Sequence, residues 1–251
     1  EIRPRDWSSD VCSFRSIPRA EYAGRSGQGD WADCLLELDG DFGQLLDLLD
    51  ELGVADNTIV VFAGDNGNEE TLPWRGTAGY WEGSYFTGME GSLRTPCLVR
   101  WPGHVPAGRE SNEIMHISDM FTTLLTWTGG EIPQDRVIDG LDQTAFLEGK
   151  QEESARDGFI FWNGNRVYGV KWKDFKGVLV QQEYMWDPAL DYGMAHIYNL
   201  KTDPKERENV AVEYGWVAAH IGTLTGEFSA SVKREPLIPS GAPLDYDPYQ
   251  S

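Results

Sequence analysis

Asp65 and Asn66 carry the chemistry most readable in this chain. They stand together at the end of a short β-branched apolar run, Thr58-Ile-Val-Val-Phe-Ala-Gly64, and Gly67 follows them. Such a run predicts a buried strand of a parallel sheet that delivers the pair to its C-terminal edge, where open α/β sheets bind ligands. Two hard oxygen donors there suit a hard cation such as calcium or magnesium. The competing reading is a hairpin turn, for which Asp/Asn-Gly is a strong signal. It is disfavoured because Asn68-Glu-Glu-Thr-Leu-Pro73 does not continue as an alternating strand that could pair back.

Other reactive side chains offer less. Cys34 falls in a helical pattern and Cys97 in a strand-like one, so both read as buried small apolar residues. No CxxC or Cys/His metal spacing occurs. His104 reads as an exposed turn residue, His116 as packing or capping, and His196 and His220 as surface or structural residues. Asp139 and Asp142 could pass for paired carboxylates, but their glycine-rich context favours a turn. Gly76-Thr-Ala-Gly79 lacks the strand–glycine–helix context of a phosphate loop. Trp74 and Trp81 are candidates for the rim of a cleft, with simple packing as the alternative.

The elements that must position these groups are visible as periods. Trp31, Leu35, Leu38, Phe42, Leu45, Leu46, Leu49 and Leu52 recur every three or four residues, which predicts an amphipathic helix from Asp30 to Leu52 with Gly53 as its C-terminal stop. Helix, tight loop and strand in that order is the alternation of a parallel α/β sheet. Residues 72–93 form a long, glycine- and aromatic-rich loop without a clean period. Arg94–Trp101 reads as a second strand, and residues 116–128 as a second helix capped by Ser118 or Asp119. Residues 133–149 read as a polar connection. After Glu153 the pattern changes to short strands, at 159–162, 166–172 and 175–180, joined by polar turns: an antiparallel meander. Ile197–Leu200 adds a candidate strand and Val212–Val232 a covering helix, before a Pro-rich end at 236–251. This gives a first domain at 17–155 and a C-terminal subdomain at 156–251.

With 251 residues, 40% of them hydrophobic, the chain can bury a real core. Ten Trp and ten Tyr are many for this length, and aromatic surfaces often line clefts. A net charge of −20 argues against nucleic acid, whose phosphates need Lys and Arg, and against docking on anionic membranes. No apolar run approaches membrane-spanning length. The first sixteen residues have no period; Arg5–Ser13 and Phe14–Ser16 resemble a translated sequencing adapter. Native protein is expected to begin near Ile17, and the chain reads as truncated at its start, without a leader segment.

Several motifs in order then resemble one family, the sulfatases of the alkaline-phosphatase-like superfamily. They are Gly29-Asp-Trp-Ala-Asp33 through Leu38-Asp39, Gly43-Gln-Leu-Leu46, Asp56–Phe62, Asp65-Asn66-Gly67, and Glu90-Gly-Ser-Leu-Arg-Thr-Pro96. Arg100-Trp-Pro-Gly103, Asp119–Leu125, Asp139-Gly-Leu-Asp142 and Ile197–Pro204, with Glu206 and Asn209, complete the series. The resemblance covers residues 17–209. It implies a partial alkaline-phosphatase-like mixed sheet sandwiched by helices, plus a smaller C-terminal α+β subdomain. It also implies hydrolysis of a sulfate monoester, of a small molecule or a saccharide, by a protein of the periplasm or cell exterior.

The same resemblance assigns residues. Asp65 and Asn66 match the second half of the family's site for a divalent cation, usually calcium. The family's nucleophile is a formylglycine made within a C/S-x-P-x-R motif, which this chain does not contain. Neither Cys34 nor Cys97 has that context, so the chain itself is expected to be inactive. The family's lysine, five residues before the Glu of its E-G-G segment, falls at Tyr85; either a neighbour such as Arg75 replaces it or the sulfate is neutralised differently, and Trp74, Arg75 and Tyr85 are the candidates for the substrate pocket. A phosphodiesterase, phosphonate hydrolase or phosphatase of the same superfamily, and a non-catalytic fragment, are the alternatives.

Overall fold

The computed structural model describes residues 17–69, 76–164, 166–235 and 241–243. The adapter-like start, Trp74 and Arg75, and most of the Pro-rich end lie outside them. The chain divides into two compact units, residues 1–107 with 183–187, and residues 108–182 with 188–251. The change of pattern near Arg156 therefore falls inside the second unit.

In the first unit, helix α1 spans Asp30–Glu51 and strand β1 spans Val60–Ala63, joined by a 3-10 turn at Ala55–Asn57. Gly53 ends α1 with φ 65°, a left-handed conformation that a β-carbon would strain. Phe42 on α1 meets Phe62 on β1 with ring centroids 4.9 Å apart. Leu46 and Leu49 are half-buried, but much of the leucine stripe is not covered by the described residues: Leu35, Leu38, Leu45 and Leu52 are each more than two-fifths exposed.

The expected parallel pairing of β1 is corrected. Strand β2, Cys97–Arg100, runs antiparallel to it, with Val60 opposite Arg100 and Ala63 opposite Cys97. The chain does pair back, but only after a long excursion that carries the short helix α2, Glu90–Leu93. A local search for alternation after Gly67 cannot see so distant a return. Nor is β1 fully buried: Val60–Phe62 are half-buried and Ala63 is exposed. Cys97 is exposed rather than buried, as is Leu98 on the opposite face, so neither face of the strand's first half is covered by the described residues.

In the second unit, helix α3 spans Ile117–Trp127 and helix α4 spans Thr144–Leu147. A four-stranded antiparallel meander follows: β3 (Gly158–Asn163), β4 (Arg166–Trp172), β5 (Phe175–Gln181) and β6 (Leu190–Asn199). Helix α5, Gly215–Arg234, lies against it and places Val217 and Ile221 on Val170 and Ile197. Gly177 on β5 lets the helix approach, since a β-carbon there would meet the Ile221 side chain. Lys176 and Glu206, both fully or nearly fully buried, pair at 2.8 Å.

The N-cap of α3 is His116, not Ser118 or Asp119. Its ring nitrogen accepts from the Ser118 N–H, while Asp119, three residues on, accepts from the His116 N–H. Asp119 is fully buried and gathers four partners. It accepts from the Leu141 N–H at 2.8 Å, from Gln143 Nε2 at 3.2 Å and from both Nε and Nη2 of Arg156. This network fastens α3 to the 139–143 turn and to the entrance of the meander.

Candidate metal centre

Asp65 and Asn66 sit on the exposed loop that leaves β1. Asp65 Oδ1 accepts the Asn66 N–H at 2.9 Å, and Asn66 Nδ2 donates to the Gly67 carbonyl at 2.9 Å. Both bonds are local, and together they orient the two side chains. Asp65 Oδ2 and Asn66 Oδ1 are the hard oxygens left to face a cation, so the donor chemistry fits calcium or magnesium. Among the described residues, no three His, Cys, Asp or Glu side chains gather as they would in a complete cage. On their own the two side chains offer two oxygens, short of the roughly six to eight that calcium takes.

The loop is held by backbone contacts with the α2 segment. Gly67 N–H donates to the Ser92 carbonyl at 2.9 Å, Tyr85 N–H to the Asn68 carbonyl at 3.0 Å, and Gly64 N–H to the Pro96 carbonyl at 3.1 Å. The approach is so close that a β-carbon on Gly67 would overlap the carbonyl of Gly91, and one on Gly91 would overlap that of Gly83. Within α2, Glu90 is fully buried and accepts from Arg94 Nε at 2.6 Å. The Arg94 guanidinium lies 3.7 Å over the Trp81 ring, so Trp81 packs on a cation rather than standing free at a rim.

Tyr85 is thus joined through its backbone to the loop bearing Asp65 and Asn66, while its ring meets Phe86 at 4.3 Å. Trp74 and Arg75 lie outside the described residues. The remaining candidates take structural roles. His104 stacks on Trp101 at 3.8 Å and His196 on Tyr192 at 3.5 Å, while His220 packs against Trp172 at 4.2 Å. Asp142 accepts from the Thr144 N–H and from Thr126 Oγ1, and the Asp139 carbonyl accepts from Arg156. Burial and the nearby carboxylates of Glu37, Asp30 and Asp33 push the Cys34 thiol up, the opposite of an activated nucleophile. The sequence reading named the Glu90–Pro96 segment as a motif but not the pairing of Glu90 with Arg94, for which the signal available was the i,i+4 spacing of opposite charges.

The architecture falls first into a class, an α/β fold of the alkaline-phosphatase-like type. Residues 21–130 match the family model described as Sulfatase, and residues 76–221, more than half of the chain, match N-sulphoglucosamine sulphohydrolase, C-terminal. The chain belongs to the sulfatase family. It is similar to the steryl-sulfatase of Homo sapiens, at 30% identity over 235 residues covering 90% of this chain and 39% of the relative. Its fold is similar to that of the PsFucS1 sulfatase from Pseudoalteromonas sp., with TM-score 0.81 and 29% identity over 88% of this chain and 46% of that one. A protein solved in complex with its substrate D-glucosamine-2-N,6-O-disulfate matches with TM-score 0.63 and 25% identity, over 82% of this chain and 41% of that one. The chain thus spans about a quarter to two-fifths of the curated relatives it matches and about two-fifths to a half of the solved structures.

Proposed function

We propose that the whole protein to which these residues belong hydrolyses a sulfate monoester, carried by a small molecule or a saccharide. The observation that carries this reading is the Asp65–Asn66 pair, oriented by local hydrogen bonds and clamped at Gly67, in a chain of the sulfatase family. Asp65 and Asn66 hold a divalent cation, calcium in this reading, through side-chain oxygens. Such a cation neutralises charge on the sulfate oxygens as it shifts during reaction. The chain contains no C/S-x-P-x-R segment, so the formylglycine nucleophile belongs to another part of the whole protein.

The residues present do positioning work. Tyr85 stands where the family carries a lysine; its hydroxyl donates a hydrogen bond but brings no positive charge, so the substrate's charge is met elsewhere. Either a neighbour such as Arg75 replaces that charge, or the sulfate is neutralised differently. By family habit the protein works in the periplasm or outside the cell. No helix among the described residues is long and apolar enough to cross a membrane.

The 251-residue chain is expected to show no turnover of 4-nitrophenyl sulfate above the uncatalysed rate. Its calcium affinity is expected to be on the order of millimolar or weaker, because two protein donors fall well short of the roughly six to eight oxygens calcium prefers. Robust turnover by the purified chain would overturn the placement of the nucleophile elsewhere. Tight calcium binding by calorimetry, lost in Asp65→Ala, would overturn the incomplete-site reading.

A further inference from the structure

We propose that Glu90 and Arg94 are positioning residues for the Asn66 carboxamide, an inference that rests on reading Asp65–Asn66 as the cation pair. The route is continuous and short. The Arg94 side chain closes the single turn of α2 from outside by donating Nε to the buried Glu90 carboxylate at 2.6 Å, beside the backbone bond from Arg94 N–H to the Glu90 carbonyl at 2.9 Å. Trp81 lies against the guanidinium, and the Glu82 carbonyl accepts the Gly91 N–H at 2.7 Å, so the turn is held on two sides. The Ser92 carbonyl, inside that turn, receives the Gly67 N–H. Gly67 in turn presents its own carbonyl to Asn66 Nδ2. That last bond decides which end of the carboxamide faces outward. With Nδ2 spent on Gly67, Oδ1 is the atom offered to a cation.

A helix as short as α2 does not hold its shape by propensity. The buried pair supplies what its length does not. The contact between Gly67 and Gly91 leaves no slack for the turn to shift without moving the loop. Groups that orient a ligating side chain without touching the ion govern metal affinity by about ten- to a hundredfold. The buried carboxylate of Glu90 is placed to act in this way on Asn66.

The test compares the wild-type chain with Arg94→Gln and with Glu90→Gln; the latter keeps the side chain's shape but removes the charge that makes the bond to Arg94 strong, and is the variant to rely on if the former does not fold. Two readouts are taken on each. One is nuclear magnetic resonance of the Asn66 side-chain NH2 and the Gly67 N–H, with Val170 and Ile197 as controls in the second unit. The other is terbium titration, terbium serving as a luminescent hard cation. The expected result is loss of the distinct Asn66 NH2 signals and exchange of the Gly67 N–H faster by about tenfold or more, with controls unchanged. Half-saturation by terbium is expected to rise by about tenfold or more. Variants that keep wild-type Asn66 and Gly67 signals overturn the proposal. If terbium does not bind the wild type while the Asn66 signals still collapse in the variants, the positioning role stands and the cation reading falls.

Discussion

Asp119 offers the sharpest energetic test of the second unit. Its carboxylate is fully buried and accepts from the main chain at His116 and Leu141, from Gln143 and from Arg156, whose side chain is itself only 12% exposed. Asp119→Ala removes the acceptor and leaves Arg156 charged and short of its partner in a place water reaches poorly. Breaking a buried ion pair from one side costs about 3–5 kcal/mol. A domain has roughly 5–15 kcal/mol in total, so the variant is expected near the edge of folding. Asp119→Asn keeps the shape but turns an NH2 toward groups that need an acceptor, and is expected to lose about half as much. Replacing both members, Asp119→Leu with Arg156→Met, is expected to recover much of the loss, since a buried pair and an apolar pair of similar volume are often close in stability.

The pH dependence follows from the same contacts. Burial alone would raise the Asp119 pKa, but the Arg156 guanidinium and the N–H groups of Leu141 and His116 outweigh it and hold the carboxyl below its usual range. A depressed folded-state pKa means stability that is fully present above the unfolded value, about 3.9, and lost as pH falls through the folded value. Urea unfolding at pH 7, followed by tryptophan fluorescence and far-ultraviolet dichroism, measures the losses; repeating it downward from pH 5 measures the acid limb. A loss under about 1 kcal/mol for Asp119→Ala, or an acid limb unchanged in that variant, would refute the reasoning.

Two further predictions concern close packing. Gly67→Ala places a β-carbon on the Gly91 carbonyl and is expected to cost about 1–3 kcal/mol in the first unit, read by hydrogen exchange at residues 64–68; a variant with wild-type protection would show that the loop is not interlocked with α2. Lys176→Met leaves the buried Glu206 carboxylate without its 2.8 Å partner and is expected to cost about 3–5 kcal/mol by urea unfolding, with Lys176→Met and Glu206→Met together restoring much of it. Equal losses in the single and double variants would contradict that account.

What could be read from the sequence was what repeats locally. The leucine spacing predicts α1 by its period alone, since much of that stripe is exposed, and the run of short strands after Glu153 predicts the meander, where period and burial coincide. Helices α2 and α4 escape such a reading, since four residues do not complete a pattern. The partner of β1 escapes it because the Gly64–Pro96 excursion places the returning strand far beyond any local window. Capping was one of two readings open for His116, and the N-cap fell instead to Ser118 or Asp119, because a ring nitrogen serves where Ser, Thr, Asp or Asn is the rule. At the candidate site, the proposal of Asp65 and Asn66 rests on their type and position. Their support carries no such signal, because a backbone carbonyl such as that of Ser92 has no residue-type signature.

The central claim is that Asp65 and Asn66 belong to the cation site of a sulfate-ester hydrolase. Its most direct test is to recover the complete reading frame from the source DNA and assay its product on 4-nitrophenyl sulfate, as wild type and as Asp65→Ala. The account predicts a C/S-x-P-x-R motif upstream of Ile17, turnover that chelation of divalent cations abolishes, and at least a hundredfold loss in Asp65→Ala, about 2.7 kcal/mol of transition-state stabilisation. Undiminished turnover in Asp65→Ala, or hydrolysis of phosphate esters in preference to sulfate by a product lacking that motif, would contradict it.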